Sequence, residues 1–203
     1  MREVVLATRN RGKIEEIKEV LTDVGVLVYS LNDFPDATTV EEDGRNFREN
    51  ALKKARYAAQ FTGKLAVADD SGLEVDALGG KPGVFSARFA GDMATDRENN
   101  RKLIEELKGL HQEARGASFR CVLALVEPSG QEIVIEEECR GLIVHQERGA
   151  GGFGYDPLFF FPPLNKTFAE LTREEKNRVS HRGKALRKLR EILTGKAPEA
   201  GSQ

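Results

Sequence analysis

Apolar residues fall along the chain in short runs, separated by polar turns, and the runs switch between strand and helix periods. Val4-Val5-Leu6-Ala7 is a compact run of strand length. After the polar turn Thr8-Arg9-Asn10-Arg11-Gly12, Ile14, Ile17, Val20 and Leu21 recur at helical spacing. This predicts a helix over 13–21 with one face against a sheet. Gly25-Val26-Leu27-Val28-Tyr29 predicts a second strand. The stretch from Leu31 to Gly44 carries Pro35, several acidic residues and no sustained period, so it is expected to be loop that can approach a site. Phe47, Ala51, Ala55 and Ala58 form the stripe of a helix over 46–61, whose small alanines permit close packing. Leu65-Ala66-Val67-Ala68 predicts a buried strand that ends at Asp69-Asp70-Ser71-Gly72.

The second half changes character. A loop at Gly79-Gly80-Lys81-Pro82-Gly83 leads to a helix over 96–108, with Leu103, Ile104 and Leu107 inward. Phe119, Cys121, Leu123 and Leu125 alternate on one face of a strand over 118–126, and Pro128-Ser129-Gly130 turns it into a partner over 132–138. A further strand is expected near 141–145. The glycine-rich loop Gly149-Ala150-Gly151-Gly152-Phe153-Gly154 opens into Tyr155-Asp156-Pro157-Leu158, followed by Phe159, Phe160 and Phe161 as core. A last helix over 180–193 carries Leu186, Leu189, Ile192 and Leu193 on one side, and the tail from 195 to 203 is expected to be disordered. The pattern is that of an α/β protein with a mixed, twisted central sheet flanked by helices, in two lobes with a cleft between them. Residues 1–194 form one domain in this reading.

Composition narrows the function. With 39% hydrophobic and 32% charged residues over 203 positions, the chain has material for a core and a charged surface. A net charge of −2 disfavours a surface built for polyanions, so nucleic acid is not an expected partner. Neither a signal peptide nor an apolar run of spanning length is present, which predicts a cytoplasmic protein without membrane contact. Cys121 and Cys139 are too few for a disulfide framework or a cysteine-rich zinc site and are expected to be buried thiols.

Four places carry candidate chemistry. Thr8-x-Asn10-x-Gly12-Lys13 lies between a strand and a helix N-terminus, where free backbone N–H groups and the helix dipole favour phosphate. It is not a Walker A loop, since Ala7 stands where that pattern needs glycine and Ile14 where it needs Ser or Thr. A plain strand-to-helix turn capped by Asn10 fits the same residues. Asp69 and Asp70 at a hydrophobic strand end are costly to desolvate without a cation or hydrogen bonds, and Mg2+ suits such carboxylates. Glu41-Glu42-Asp43 offers a second carboxylate or a solvated loop. Lys53-Lys54 and the basic run from Lys176 to Lys184 supply cations for phosphate, for a polyanion or for solvent. Phe153-Gly154-Tyr155-Asp156 presents either a face for stacking a base or more core.

Taken in order, Thr8-Arg9-Asn10-Arg11-Gly12-Lys13, Glu49-Asn50-Ala51, Ala68-Asp69-Asp70-Ser71-Gly72-Leu73, Leu78-Gly79-Gly80-x-Pro82-Gly83, Gly151-Gly152-Phe153-Gly154-Tyr155-Asp156-Pro157 and Glu170-Leu171-Thr172-x-Glu174-Glu175-Lys176 with Ser180-His181-Arg182 resemble the inosine/xanthosine triphosphate pyrophosphatase family, closely its bacterial dITP/XTP branch. The resemblance runs from Val4 to about Leu193. It implies hydrolysis of ITP, dITP and XTP to the monophosphate and pyrophosphate, with Mg2+ and as a homodimer. It also implies that residues Thr8, Arg9, Asn10, Arg11, Gly12 and Lys13 hold the triphosphate, together with Lys54. Asp70 becomes metal ligand and general base, Glu42 the second ligand in preference to Glu41, and Ser71 a substrate contact. Phe153, Gly154, Tyr155, Asp156, Lys176, His181 and Arg182 become the nucleotide and base pocket. Hydrogen-bond donors at His181 or Arg182 would favour a 6-keto purine over adenine. A phosphohydrolase releasing single phosphates and a non-catalytic nucleotide- or DNA-binding module are the alternatives.

Overall fold

A computed structural model of the protein describes residues 2–195, so the expected tail beyond Gly195 lies outside the described residues. Seven strands form one open sheet: β1 (Arg2–Leu6), β2 (Val26–Ser30), β3 (Leu65–Val75), β4 (Gly116–Val126), β5 (Glu132–Ile143), β6 (Phe159–Phe161) and β7 (Lys166–Thr167). Their order is β2-β1-β3-β4-β5-β6-β7. The sheet is mixed, since β1 runs parallel to β2 and β3 whereas β5, β6 and β7 pair antiparallel. The helices are α1 (Arg11–Leu21), α2 (Phe47–Thr62), α3 (Asp96–Glu106), α4 (Arg173–Val179) and α5 (His181–Thr194). The chain divides into two compact units, one made of the residues up to Asp70, Val122–Glu136 and those from Lys184 on, the other of Ser71–Cys121 and Glu137–Gly183.

In the first unit, parallel pairing requires crossovers, and α1 connects β1 to β2 as α2 precedes β3. Val4, Val5 and Leu6 are completely buried, as a parallel strand covered on both faces should be. Ile14, Ile17 and Leu21 are buried on α1, at the expected period. The helix begins two residues before the expected Lys13, because the Asn10 side chain accepts from the Lys13 N–H at 3.1 Å and caps an earlier start. On α2 the alanine stripe of Ala51, Ala55 and Ala58 is fully buried, and Gly63 at φ 66° ends the helix in a left-handed cap.

The expectation that a strand ends at Asp69 is wrong. β3 continues through Asp69, Asp70, Ser71 and Gly72 to Val75. Lysines meet both carboxylates, so the strand need not stop to expose them to water. The alternation expected in β4 also fails from Cys121 to Val126, where every residue is buried. Both faces of that central strand are covered, and period two disappears.

The core of the second unit gathers Leu73 and Val75 from β3, Leu103 and Leu107 around the end of α3, Phe119, Ile143, Leu158, Phe159 and Phe168. Phe119, Phe159 and Phe168 form a ring cluster with centroids 4.6–5.7 Å apart. Phe160 and Phe161, expected as core, are only partly buried against it. The separate strand expected near 141–145 is the end of the long β5. The expected last helix over 180–193 is α5, starting one residue later because Ser180 takes an extended conformation and its Oγ accepts from the Gly183 N–H at 3.1 Å, whereas the short α4 before it lies outside that expectation. A Cβ on Gly183 would lie 1.8 Å from the Asn177 carbonyl oxygen, so only glycine allows α5 to start this close to α4. Cys121 and Cys139 are buried thiols outside any disulfide.

Candidate active site

The first constellation sits at the carboxyl ends of parallel strands in the first unit. Asp69 and Asp70 are consecutive on β3, so their side chains leave the strand on opposite faces, and each meets a different lysine. The Lys13 ammonium, from the first turn of α1, pairs with the Asp69 carboxylate, whose side chain is fully buried. Lys54, on α2, donates to Glu42 Oε1 at 2.6 Å, to Asp70 Oδ1 at 3.0 Å and to the Asp69 carbonyl at 2.9 Å. Two carboxylates thus converge on one cation. Burial pushes the Asp70 carboxyl above the ordinary carboxylate range; the Lys54 charge opposes this and the Glu42 charge adds to it. Burial acts to lower the Lys54 ammonium, but the charges of Asp70 and Glu42 outweigh it and hold Lys54 protonated.

Neighbouring side chains behave differently. Lys53 pairs with Asp43 on the surface, and Glu41 is exposed, so Lys54 and Glu42 are the members of these runs that turn inward. A cavity of about 280 Å³ is walled by Thr8, Asn10, Lys13, Glu42, Lys54 and Asp69. Ala7, Arg9, Leu31, Thr38, Thr39 and Val40 complete its lining. The Arg9 guanidinium donates to the Ala37 carbonyl at 2.8 Å, holding the loop that carries these residues. Arg11 and Gly12 are exposed at the start of α1. Asn50 Oδ1 accepts from the Gly44 N–H at 2.8 Å and folds the Glu42 loop back onto α2.

The oxygen chemistry of Glu42 and Asp70 fits a hard divalent cation. Among the described residues no group of three or more His, Cys, Asp or Glu converges, and Mg2+ commonly takes only one or two protein carboxylates.

The second constellation lies wholly in the second unit. The Phe153 ring is 58% exposed, with the Lys176 ammonium 4.5 Å and the Arg182 guanidinium 5.5 Å from its centroid. Buried Asp156 accepts from the Phe153 N–H at 2.8 Å and pairs with Lys176. His181 is buried and stacks on Phe119 at 4.8 Å, and Arg182 is buried beside it at the start of α5. Tyr155 departs from its expected pocket role, since its ring belongs to the core and its hydroxyl donates to the Ser86 carbonyl at 2.8 Å. Burial raises the phenol far above its usual range and keeps it neutral. Ser71, half-buried, follows Asp70 on β3.

The sequence reading did not single out Thr38, Thr39 and Val40 in the cavity wall, nor Asp96 and Asn100 on α3. Asp96 accepts from the Gly154 N–H at 2.6 Å and Asn100 donates to the Gly154 carbonyl at 3.1 Å, so the peptide groups on either side of its Cα are both held. A signal for them existed. Asn99 and Asn100 share the helical phase of Leu103 and Leu107, and a polar residue on a buried face needs a partner.

Comparison with known proteins adds to this geometry. The pattern of the Ham1 family matches residues 4–192. The chain is 56% identical over 190 residues to the dITP/XTP pyrophosphatase of Desulforamulus reducens, covering 94% of each chain. It is 53% identical over 193 residues to the dITP/XTP pyrophosphatase of Geobacter sulfurreducens, covering 95% of this chain and 97% of that one. Among solved structures, a HAM1 protein from Coxiella burnetii superposes with a TM-score of 0.91 at 44% identity, over 96% of this chain and all of that one (100%). A nucleoside-triphosphatase / dITP/XTP pyrophosphatase from Mycobacterium abscessus gives 0.79 at 46% identity, over 92% and 98%.

Proposed function

The chain belongs to the Ham1 family, and from that membership and the site geometry we propose that it hydrolyses non-standard purine nucleoside triphosphates (ITP, dITP, XTP) to the monophosphate and pyrophosphate. The observation that carries the reading is the sharing of one buried lysine by Glu42 and Asp70 beside a cavity walled by Thr8, Asn10 and Lys13. In this reading Thr8, Arg11, Gly12 and Lys13 receive the phosphates at the α1 N-terminus, while Asn10 caps the helix and Arg9 secures the adjoining loop. Glu42 and Asp70 hold Mg2+. The bound ion supplies charge neutralisation for the triphosphate and a more acidic water.

Water attacks the α-phosphorus, the bond to the bridging oxygen of the β-phosphate breaks, and pyrophosphate leaves with that oxygen. Asp70 takes the proton of the attacking water. Lys13 and Lys54 balance the charge that builds on the leaving pyrophosphate. Phe153 stacks the base, and Lys176, His181 and Arg182 supply donors to the purine 6-oxygen, with Asp156 orienting Lys176. Ser71 contacts substrate next to Asp70.

We place residues 1–194 in one catalytic domain, because β3, β4 and β5 each contribute residues to both compact units and no boundary avoids cutting a strand. A cytoplasmic homodimer completes the proposal. Among the described residues, no helix is long and apolar enough to cross a membrane. The deciding experiment incubates the protein with dITP and Mg2+ and identifies products. Monophosphate and pyrophosphate in equal amounts are expected, with turnover lost in a folded Asp70→Asn variant. Free phosphate as the first product, or no turnover, would overturn the reading.

A further inference from the structure

The loop that carries Phe153 is held by more side chains than a surface turn needs. Phe153 itself keeps an exposed ring, yet the backbone around it is fixed on every side. Its N–H donates to Asp156 Oδ2 at 2.8 Å and its carbonyl accepts from the Asp156 N–H at 3.2 Å. The two peptide groups that meet at Gly154 are held by α3, where Asp96 Oδ2 accepts from the Gly154 N–H at 2.6 Å and Asn100 Nδ2 donates to the Gly154 carbonyl at 3.1 Å. Gly154 has φ 59°, a left-handed conformation that glycine adopts freely among several, so the clamp selects one backbone shape from those open to it. Beyond it, the Tyr155 hydroxyl is pinned to the Ser86 carbonyl.

Asn100 is the buried member of this clamp, at 3% exposure. Its Nδ2 also donates to Glu147 Oε1 at 3.0 Å, so two acceptors fix the amide with its nitrogen toward Gly154. Its Oδ1 has no protein hydrogen-bond partner, so the donor end alone orients the side chain. A buried asparagine on the apolar face of a helix weakens that helix's packing. The compensation is a fixed aromatic ring, with Lys176 and Arg182 set around it.

We propose that Asn100 and Asp96 are positioning residues that lock the two peptide groups meeting at Gly154 and thereby set how strongly the site selects its base. The proposal rests on the nucleotide reading above. Neither residue touches the substrate. They act by removing freedom from the ring on which the base stacks, so that the donors around it meet the 6-oxygen at one place only.

The test is steady-state kinetics with dITP and dATP, measured on wild type and on Asn100→Ala, Asp96→Ala and Asp96→Asn. For Asn100→Ala, KM for dITP is expected to rise about tenfold, the effect of one lost buried hydrogen bond. Its kcat should hold, and the ratio of kcat/KM for dITP to that for dATP should fall by a similar factor. Exposed Asp96 tolerates truncation, so Asp96→Ala should show the same split even if Asn100→Ala fails to fold. Asp96→Asn retains an oxygen that can accept from Gly154 and should restore wild-type selection. An unchanged ratio in Asp96→Ala and any folded Asn100→Ala, or an equal loss on both substrates, overturns the clamp. Wild type that yields no pyrophosphate from dITP overturns the function itself, and the clamp with it.

Discussion

Replacing Lys54 by methionine removes the one cation shared by Asp70 and Glu42, and its cost follows from the geometry. At 3.0 Å the Lys54–Asp70 attraction is gross about 5 kcal/mol with an effective dielectric of about 20. Desolvation of both groups offsets part of this, since their side chains are only 12% and 10% exposed. Deleting the lysine leaves the Asp70 charge buried beside Glu42 with the weaker attraction of Lys13 in place of its ion pair, and such deletions cost about 3–5 kcal/mol. Glu42 is 36% exposed and adds little, which places the expected loss near about 3 kcal/mol. Urea unfolding of wild type, Lys54→Met, Asp70→Asn and the double variant forms the cycle that isolates the pair. The lysine change should cost at least about 2 kcal/mol less when Asp70 is already neutral. If Lys54→Met costs the same in both backgrounds, the two groups are not coupled and the account of the site fails.

Three other outcomes follow from the structure. Gly183→Ala forces a methyl group to within 1.8 Å of the Asn177 carbonyl and should lower stability by about 3 kcal/mol, the upper end for overpacking, in the same urea assay. Tyr155→Phe should cost about 1 kcal/mol of stability and leave turnover of dITP unchanged, whereas a collapse in turnover would return the hydroxyl to the reaction. Glu98, Glu170 and Glu175 each accept from a capping backbone N–H, which is the largest influence holding their carboxyls below the ordinary 4.5. Lowered values in the fold mean that the unfolded chain binds protons first, so this stability is present above pH 4.5 and fades as pH falls below it. The melting temperature of Glu98→Gln should therefore fall less steeply in acid than that of wild type.

Local period and turn chemistry made most of the elements legible. Ile14, Ile17 and Leu21 on α1 and the alanine stripe on α2 needed no tertiary knowledge. The errors occurred where a partner distant in sequence decides. Asp69 and Asp70 read as a strand terminus because two carboxylates in a row look incompatible with burial, and only Lys13 and Lys54 make them compatible. The short α4 escapes the pattern because it buries none of its residues, and the close approach of Gly183 to Asn177 that sets it against α5 is invisible in a hydrophobic pattern. In the site, the resemblance favours Glu42 and Lys54 over Glu41 and Lys53, a choice no local pattern makes, since which of two adjacent residues turns inward depends on the Lys54–Glu42 pairing across the fold. Tyr155 was ambiguous because an aromatic beside a glycine loop serves a core or a pocket equally well. Asp96 and Asn100 escaped notice because their partner is a peptide group, which carries no side-chain signature.

The continuity of β3 sets a limit on how this chain can vary. Since Asp69 and Asp70 leave the strand on opposite faces and each meets its own lysine, inserting or deleting one residue between Leu65 and Asp69 would turn every later side chain to the other face. Asp70 would then face Lys13 and leave Lys54 behind, although every residue type had been kept. Length, more than composition, is what this strand has to conserve.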